Sequence, residues 1–230
     1  MPGYKVETHT HRIGKHGYEV RQLADRKQFS DPEGAAERAG VPPSSWPIFG
    51  VPWPAGQALA EAMCNIPIKG LRILEVGCGL GLASLVLKRR GAGITASDHH
   101  PLAGTFLRHN TDLNGLAPIA FICAKWGGPD TGIGRFDLLI GADLLYERDH
   151  ARLLADFLAR HANDTAKFIL ADAGRGHCAQ FNELMRLQGY SRTERRVSLG
   201  GAWPPGACGK ILTYERVAGQ AAAAKSAAAV

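Results

Sequence analysis

No stretch of this chain approaches the ~18 consecutive apolar residues of a membrane-crossing helix. Its start, Met1-Pro2-Gly3-Tyr4-Lys5, lacks the apolar run of a secretory signal. Neither membrane insertion nor export is expected. Cysteines are few and scattered: Cys64, Cys78, Cys123, Cys178 and Cys208 are odd in number and contain no C-x-x-C pair. That argues against a disulfide frame or a zinc site, and for reduced thiols in a cytoplasmic protein. His9, His11 and His16 lie in a polar leader with no cysteine near them, and no metal site is expected there. A dense basic block is also missing. The net charge is +6, yet its richest clusters are only Lys88-Arg89-Arg90 and Arg192 with Arg195-Arg196. These read as solvated ends of helices and strands, so nucleic acid is not an expected partner. The alternative use of such a surface is to attract an acidic partner protein or a phosphate-rich ligand.

What is present is an alternation of short apolar runs and amphipathic segments. The 230 residues suit one α/β domain with a modest extension. Residues 1–45 read as that extension, with a short strand at Tyr18–Leu23, a short helix opened by Asp31-Pro32 and a Pro42–Ser45 linker. Residues 46–217 form the main domain, and 218–230 an alanine-rich tail, frayed or disordered. Within the domain, strands are expected at Leu71–Val76, Gly93–Ser97, Ile119–Cys123, Phe136–Ala142 and Lys167–Ala171. Helices are expected to follow most of them, through Arg90 and over Pro101–Asn114, Arg148–His161 and His177–Gln188. Such alternation builds a parallel sheet with helices on both faces. Two last strands, Ser191–Val197 and Lys210–Arg216, have no helix between them and predict an antiparallel hairpin at one edge.

The strongest motif is Ile73-Leu74-Glu75-Val76-Gly77-Cys78-Gly79-Leu80-Gly81. A strand passes through three glycines into a helix, whose free N–H groups and partial positive charge favour a nucleotide-like ligand. A dinucleotide loop needs G-x-G-x-x-G/A. Counting from Gly77 places Leu82 at the sixth position, and counting from Gly79 places Ser84 there. Glu75 would repel a diphosphate but hold an ammonium group. Asp98, ending the second strand about 20 residues on, suits the two hydroxyls of a ribose. The fourth strand ends in Asp143-Leu144-Leu145-Tyr146, without the Pro-Pro that amino-group methylation of nucleic-acid bases commonly uses. Asp98 and Asp143 could each instead cap the helix that follows.

The register Glu75-x-Gly77-x-Gly79-x-Gly81 resembles the first S-adenosylmethionine-binding motif of class I methyltransferases. Together with Trp53-Pro54-Ala55-Gly56-Gln57-Ala58-Leu59, Asp98 and Asp143-x-x-Tyr146, it resembles the seven-β-strand protein lysine methyltransferases, over roughly Trp46 to Arg216. Among these it is most similar to enzymes that methylate the electron-transfer flavoprotein β-subunit, through the Trp53 motif, Asp98-x-x-Pro101-Leu102-Ala103-Gly104 and Ala171-Asp172-Ala173-Gly174-Arg175. The resemblance implies a Rossmann-like, seven-stranded, mostly parallel methyltransferase sheet with an antiparallel edge hairpin. It implies S-adenosylmethionine as cofactor and S-adenosylhomocysteine as product. The acceptor would be a lysine amine of a protein, such as the electron-transfer flavoprotein β-subunit; a small molecule, or another side chain such as histidine, is the alternative. Oligomeric state is not legible, with a monomer favoured. Trp53 would border the cofactor, Glu75 would hold its ammonium end, and Gly77, Gly79 and Gly81 would line its methionine and ribose. Asp98 would hold the ribose and Trp126 would flank the adenine. Asp143 and Tyr146 would orient the acceptor amine, with Asp143 facing the cofactor as well. Lys125 stands where several relatives carry an acid, and Ala173 where they carry proline.

Overall fold

The computed structural model describes residues 4–174, 176–199 and 208–218. The proposed tail beyond Ala218 lies outside them. The chain opens with a hairpin, β1 (Val6–Ile13) and β2 (His16–Leu23), paired antiparallel from Val6↔Leu23 to Ile13↔His16. The two-residue loop turns on Gly14, whose φ of 56° is cheap only for glycine. The polar leader is therefore a strand; His9 and His16 are exposed and His11 is half-buried. The short helix α1 occupies Ala35–Arg38, later than Asp31-Pro32 suggested. Asp31 instead accepts a hydrogen bond from the Glu37 N–H at 2.8 Å, and Gly34 turns left-handed with φ of 62°. The linker region forms two single turns of 3-10 helix, Pro43–Ser45 and Ile48–Gly50.

From there the alternation follows closely: α2 (Pro54–Ala62), β3 (Arg72–Val76), α3 (Leu82–Arg89), β4 (Gly93–Asp98), α4 (Pro101–Leu113) and β5 (Ala120–Cys123). Then come β6 (Phe136–Ala142), α5 (His150–His161), β7 (Ala162–Asp172), α6 (Cys178–Leu187), β8 (Ser191–Ser198) and β9 (Cys208–Arg216). Strand β7 begins five residues earlier than its apolar run. The polar start, Asn163-Asp164, looks like a turn, but the Arg216 guanidinium donates to the carbonyls of Asn163 (2.9 Å) and Asp164 (3.2 Å) and holds it extended.

The seven strands β3–β9 order as β5-β4-β3-β6-β7-β9-β8. All neighbours are parallel except β9, which runs antiparallel to both β7 and β8. The mostly parallel sheet and its antiparallel edge are as expected. Alternate strand residues face opposite sides. Ile73, Ile94, Ile140 and Ile211 pack with α2, α3, α4 and the hairpin, whereas Leu74, Leu139, Phe168 and Leu212 pack with α5 and α6. The chain leaves β3 outward through β4 and β5, then returns to β6 on β3's other side. The crevice at the carboxyl ends of β3 and β6 is thus a topological switch point, the usual ligand position in open α/β sheets.

Candidate active site

A cleft of about 410 Å³ opens at that switch point, within the range of small-ligand sites. Its floor is the turn after β3. Gly77, Gly79 and Gly81 have φ of 62°, 52° and 75°, so each turn demands glycine. A Cβ on Gly77 would lie 2.6 Å from a Leu144 methyl, and one on Gly79 would lie 2.9 Å from the Phe49 carbonyl oxygen. The loop therefore fits tightly against the neighbouring chain while it cradles the cleft.

Two acids, buried Glu75 and half-buried Asp98, stand at the ends of adjacent strands. Glu75 is only 4% exposed. Its Oε2 accepts both the Ser84 backbone N–H, at 2.9 Å, and the Ser84 hydroxyl. Burial pushes its carboxyl up to about 7, because the charged form loses water without gaining a cation. Asp98 is held at both oxygens, by the Gly79 N–H and by the His100 N–H, each at 2.8 Å. Burial also raises its pKa. Asp98 does not cap α4; His100 takes that place, its Nδ1 accepting the Leu102 N–H at 3.2 Å.

Across the crevice, β6 ends at Asp143. This residue is 7% exposed and has φ of 54°, the one positive φ of a non-glycine among the described residues. Its N–H donates to the Ala171 carbonyl at 2.8 Å, which pins the strand end to β7. Aspartate tolerates the left-handed region better than most residues. A non-glycine held there is the kind of local strain found at functional sites. Asp143 does not cap α5, whose N-cap is Asp149. Tyr146, 37% exposed, packs edge-on to His150 with centroids 4.4 Å apart. Trp126 also packs edge-on to His150, with centroids 5.2 Å apart. Trp53 begins α2, and its indole N–H donates to the Ile48 carbonyl at 2.9 Å.

Every candidate site residue named from sequence thus borders this one cleft. Arg175, which closes the Ala171–Arg175 motif, lies outside the described residues. Several lining residues were not foreseen. His11 of β1 is hydrogen-bonded to Gln57 of α2 at 3.0 Å, so the N-terminal hairpin forms one wall. Phe49 stacks on His100 at 4.0 Å. Glu147 and Asp149 give the mouth an acidic rim, and their carboxylates and His150 place ligand atoms within 4.8 Å of one another. Only proximity to Asp143-x-x-Tyr146 could have flagged the last three. Chemically, the donor set suits a ligand with a cationic amine, a vicinal diol and a flat aromatic portion, next to a narrow polar mouth for a second reactant.

Comparison with known proteins addresses the family and the fold. The electron transfer flavoprotein beta subunit lysine methyltransferase of Xenopus laevis is 34% identical over 154 residues, covering 64% of this chain and 62% of the relative. That of Rattus norvegicus is 34% identical over 167 residues, covering 69% and 64%. The chain thus spans somewhat under two thirds of the length of these relatives. Among solved structures, magnesium protoporphyrin IX methyltransferase from Synechocystis, determined with bound SAM, superposes with a TM-score of 0.57. It shares 19% identity over 71% of this chain and 80% of its own, which speaks to the fold. The sequence profile of the lysine methyltransferase family matches residues 50–186, and the chain belongs to that family.

Proposed function

We propose that this protein transfers a methyl group from S-adenosylmethionine to the side-chain amine of a lysine in a protein substrate, with residues 46–217 as the catalytic domain. The observation that carries this reading is the convergence of Glu75, Asp98 and Asp143 on one cleft, under Trp126 and beside Tyr146. The cofactor fits that donor set: Glu75 would meet its ammonium end, Asp98 its ribose hydroxyls and Trp126 its adenine. When bound, it supplies a methyl group already activated on a sulfonium. The protein's own task is then alignment and exclusion of water.

A lysine acceptor must first become neutral. With a free pKa of about 10.4, deprotonation near pH 7.4 costs about 4 kcal/mol. Burial at the cleft floor lowers that cost by disfavouring the ammonium form. The acidic rim of Glu147 and Asp149 attracts the incoming cation. The Asp143 carboxylate would accept a hydrogen bond from the neutral amine and so direct its lone pair, while Tyr146, backed by His150, would narrow the entry. The electron-transfer flavoprotein β-subunit, acceptor of the named relatives, is the first substrate to try. The scattered cysteines, with no C-x-x-C pair, suit a reducing cytoplasm.

The test uses Asp143→Asn, which keeps the left-handed backbone and the size of the side chain. Turnover should fall about 100-fold, while calorimetric affinity for S-adenosylmethionine stays within about threefold. Full activity in this variant would remove Asp143 from its role. An unmodified protein that binds no S-adenosylmethionine would end the proposal.

A further inference from the structure

Helix α3 starts at Gly81, which offers no side-chain cap. The free N–H groups of its first turn still need acceptors. One is supplied from outside the helix. Ser84, the third helical residue and completely buried, directs its N–H and its hydroxyl to a single oxygen, Oε2 of Glu75 on β3. Oε1 takes part in neither bond. Glu75 faces the cleft, and no cation among the described residues acts on it. The groups around it are Asp98 at the end of β4 and the Cys78 thiol in the glycine turn, and neither favours its ionisation. Directly beside it, β4 contributes Ala96 and β6 contributes Ile140. Among the described residues, Ser84 is thus the one source of hydrogen bonds keeping this carboxylate in place.

We propose that Ser84 is a positioning residue for the amino-acid end of the cofactor: by holding Glu75 Oε2 with two donors, it fixes the carboxylate that receives the cofactor's ammonium group. The inference rests on the proposed S-adenosylmethionine reading and adds a residue with no contact to the ligand. Its signature is selectivity by ligand part. S-adenosylmethionine and S-adenosylhomocysteine carry the amino-acid end. 5′-Methylthioadenosine keeps the adenine, ribose and sulfur but lacks that end.

The experiment is calorimetric titration of the wild-type protein, Ser84→Ala and Glu75→Gln with these three compounds between about pH 6 and 8.5. Wild-type affinity for S-adenosylmethionine should rise with pH and level off once Glu75 is ionised. Ser84→Ala removes one hydrogen bond to a charged group, which corresponds to about tenfold weaker binding of both amino-acid-bearing compounds near pH 7. The levelling-off should move to higher pH. Binding of 5′-methylthioadenosine should change less than about twofold. In the Glu75→Gln background, Ser84→Ala should have no further effect on affinity. Equal weakening of all three ligands, unchanged affinity for S-adenosylmethionine, or an undiminished Ser84→Ala effect without Glu75 would each overturn the role. A wild-type protein that binds 5′-methylthioadenosine and neither larger compound would overturn it too. A wild-type protein that binds none of the three would instead remove the cofactor reading on which it rests.

Discussion

A carboxylate buried among apolar strands without a cation is a liability to the empty protein. For Glu75 the size follows from its pKa. The group ionises near 4.5 when unfolded and near 7 when folded, so its contribution to stability is fully present below about pH 4.5. It is lost as the pH rises through about 7, and the loss amounts to about 3 kcal/mol. Glu75→Gln should therefore be more stable than wild type at pH 8 and about equal at pH 4.5, as read by urea unfolding at both values. A variant less stable than wild type at pH 8 would mean that the ionised form is better solvated than its burial implies. The same substitution should weaken S-adenosylmethionine binding, a trade of stability against function common at active sites. At this scale the sequence was informative about identity and silent about partnership. Glu75, Asp98 and Asp143 announce themselves because each ends an apolar run. The bonds of Ser84 to Glu75, or of His11 to Gln57 46 positions away, depend on which way a helix faces a strand, and no local pattern encodes that.

The elements show how the N-terminal hairpin becomes part of the cleft. Two asparagines one turn apart, Asn110 on α4 and Asn114 at its C-cap, satisfy the outer edge of β2. Asn110 Oδ1 accepts from Arg21 N–H at 2.7 Å and its amide donates to Arg21 and Leu80 carbonyls, while Asn114 exchanges bonds of 3.1 and 2.7 Å with Glu19. Side-chain amides thus stand in for a neighbouring strand, at residues that interrupt the apolar stripe of the helix. Asn110→Leu leaves the Arg21 N–H without its acceptor. It should cost about 2 kcal/mol in denaturant unfolding and speed amide exchange in β2 more than in β7. Protection of β2 unchanged from wild type would show that packing of Tyr18 and Val20 alone holds the hairpin. The hairpin's first strand was not legible because Glu7, Thr8, His9 and Thr10 are all exposed, which erases the period-two signal. The strands of the sheet, with one or both faces buried, kept theirs. The edge strand β8 is nearly all exposed and was found from its position in the alternation more than from its composition.

For the whole molecule, the order of elements determined the architecture. A glycine turn after the first sheet strand, a reversal of direction after the third and a final pair without a helix lead to one sheet order, and that order puts the carboxyl ends of β3, β4 and β6 side by side. The acceptor side is less visible from sequence, since its wall combines β1, α2 and the loop after β6, three regions far apart in the chain. The reaction proposed for this cleft is methylation of a lysine. Its most direct test is to incubate the purified protein with methyl-labelled S-adenosylmethionine and purified electron-transfer flavoprotein β-subunit, in parallel with a cell extract, and map the label by mass spectrometry. Label is expected on a lysine Nζ of a protein in the wild-type reaction, and about 100-fold less with Asp143→Asn. Label confined to small molecules or to histidine would contradict it.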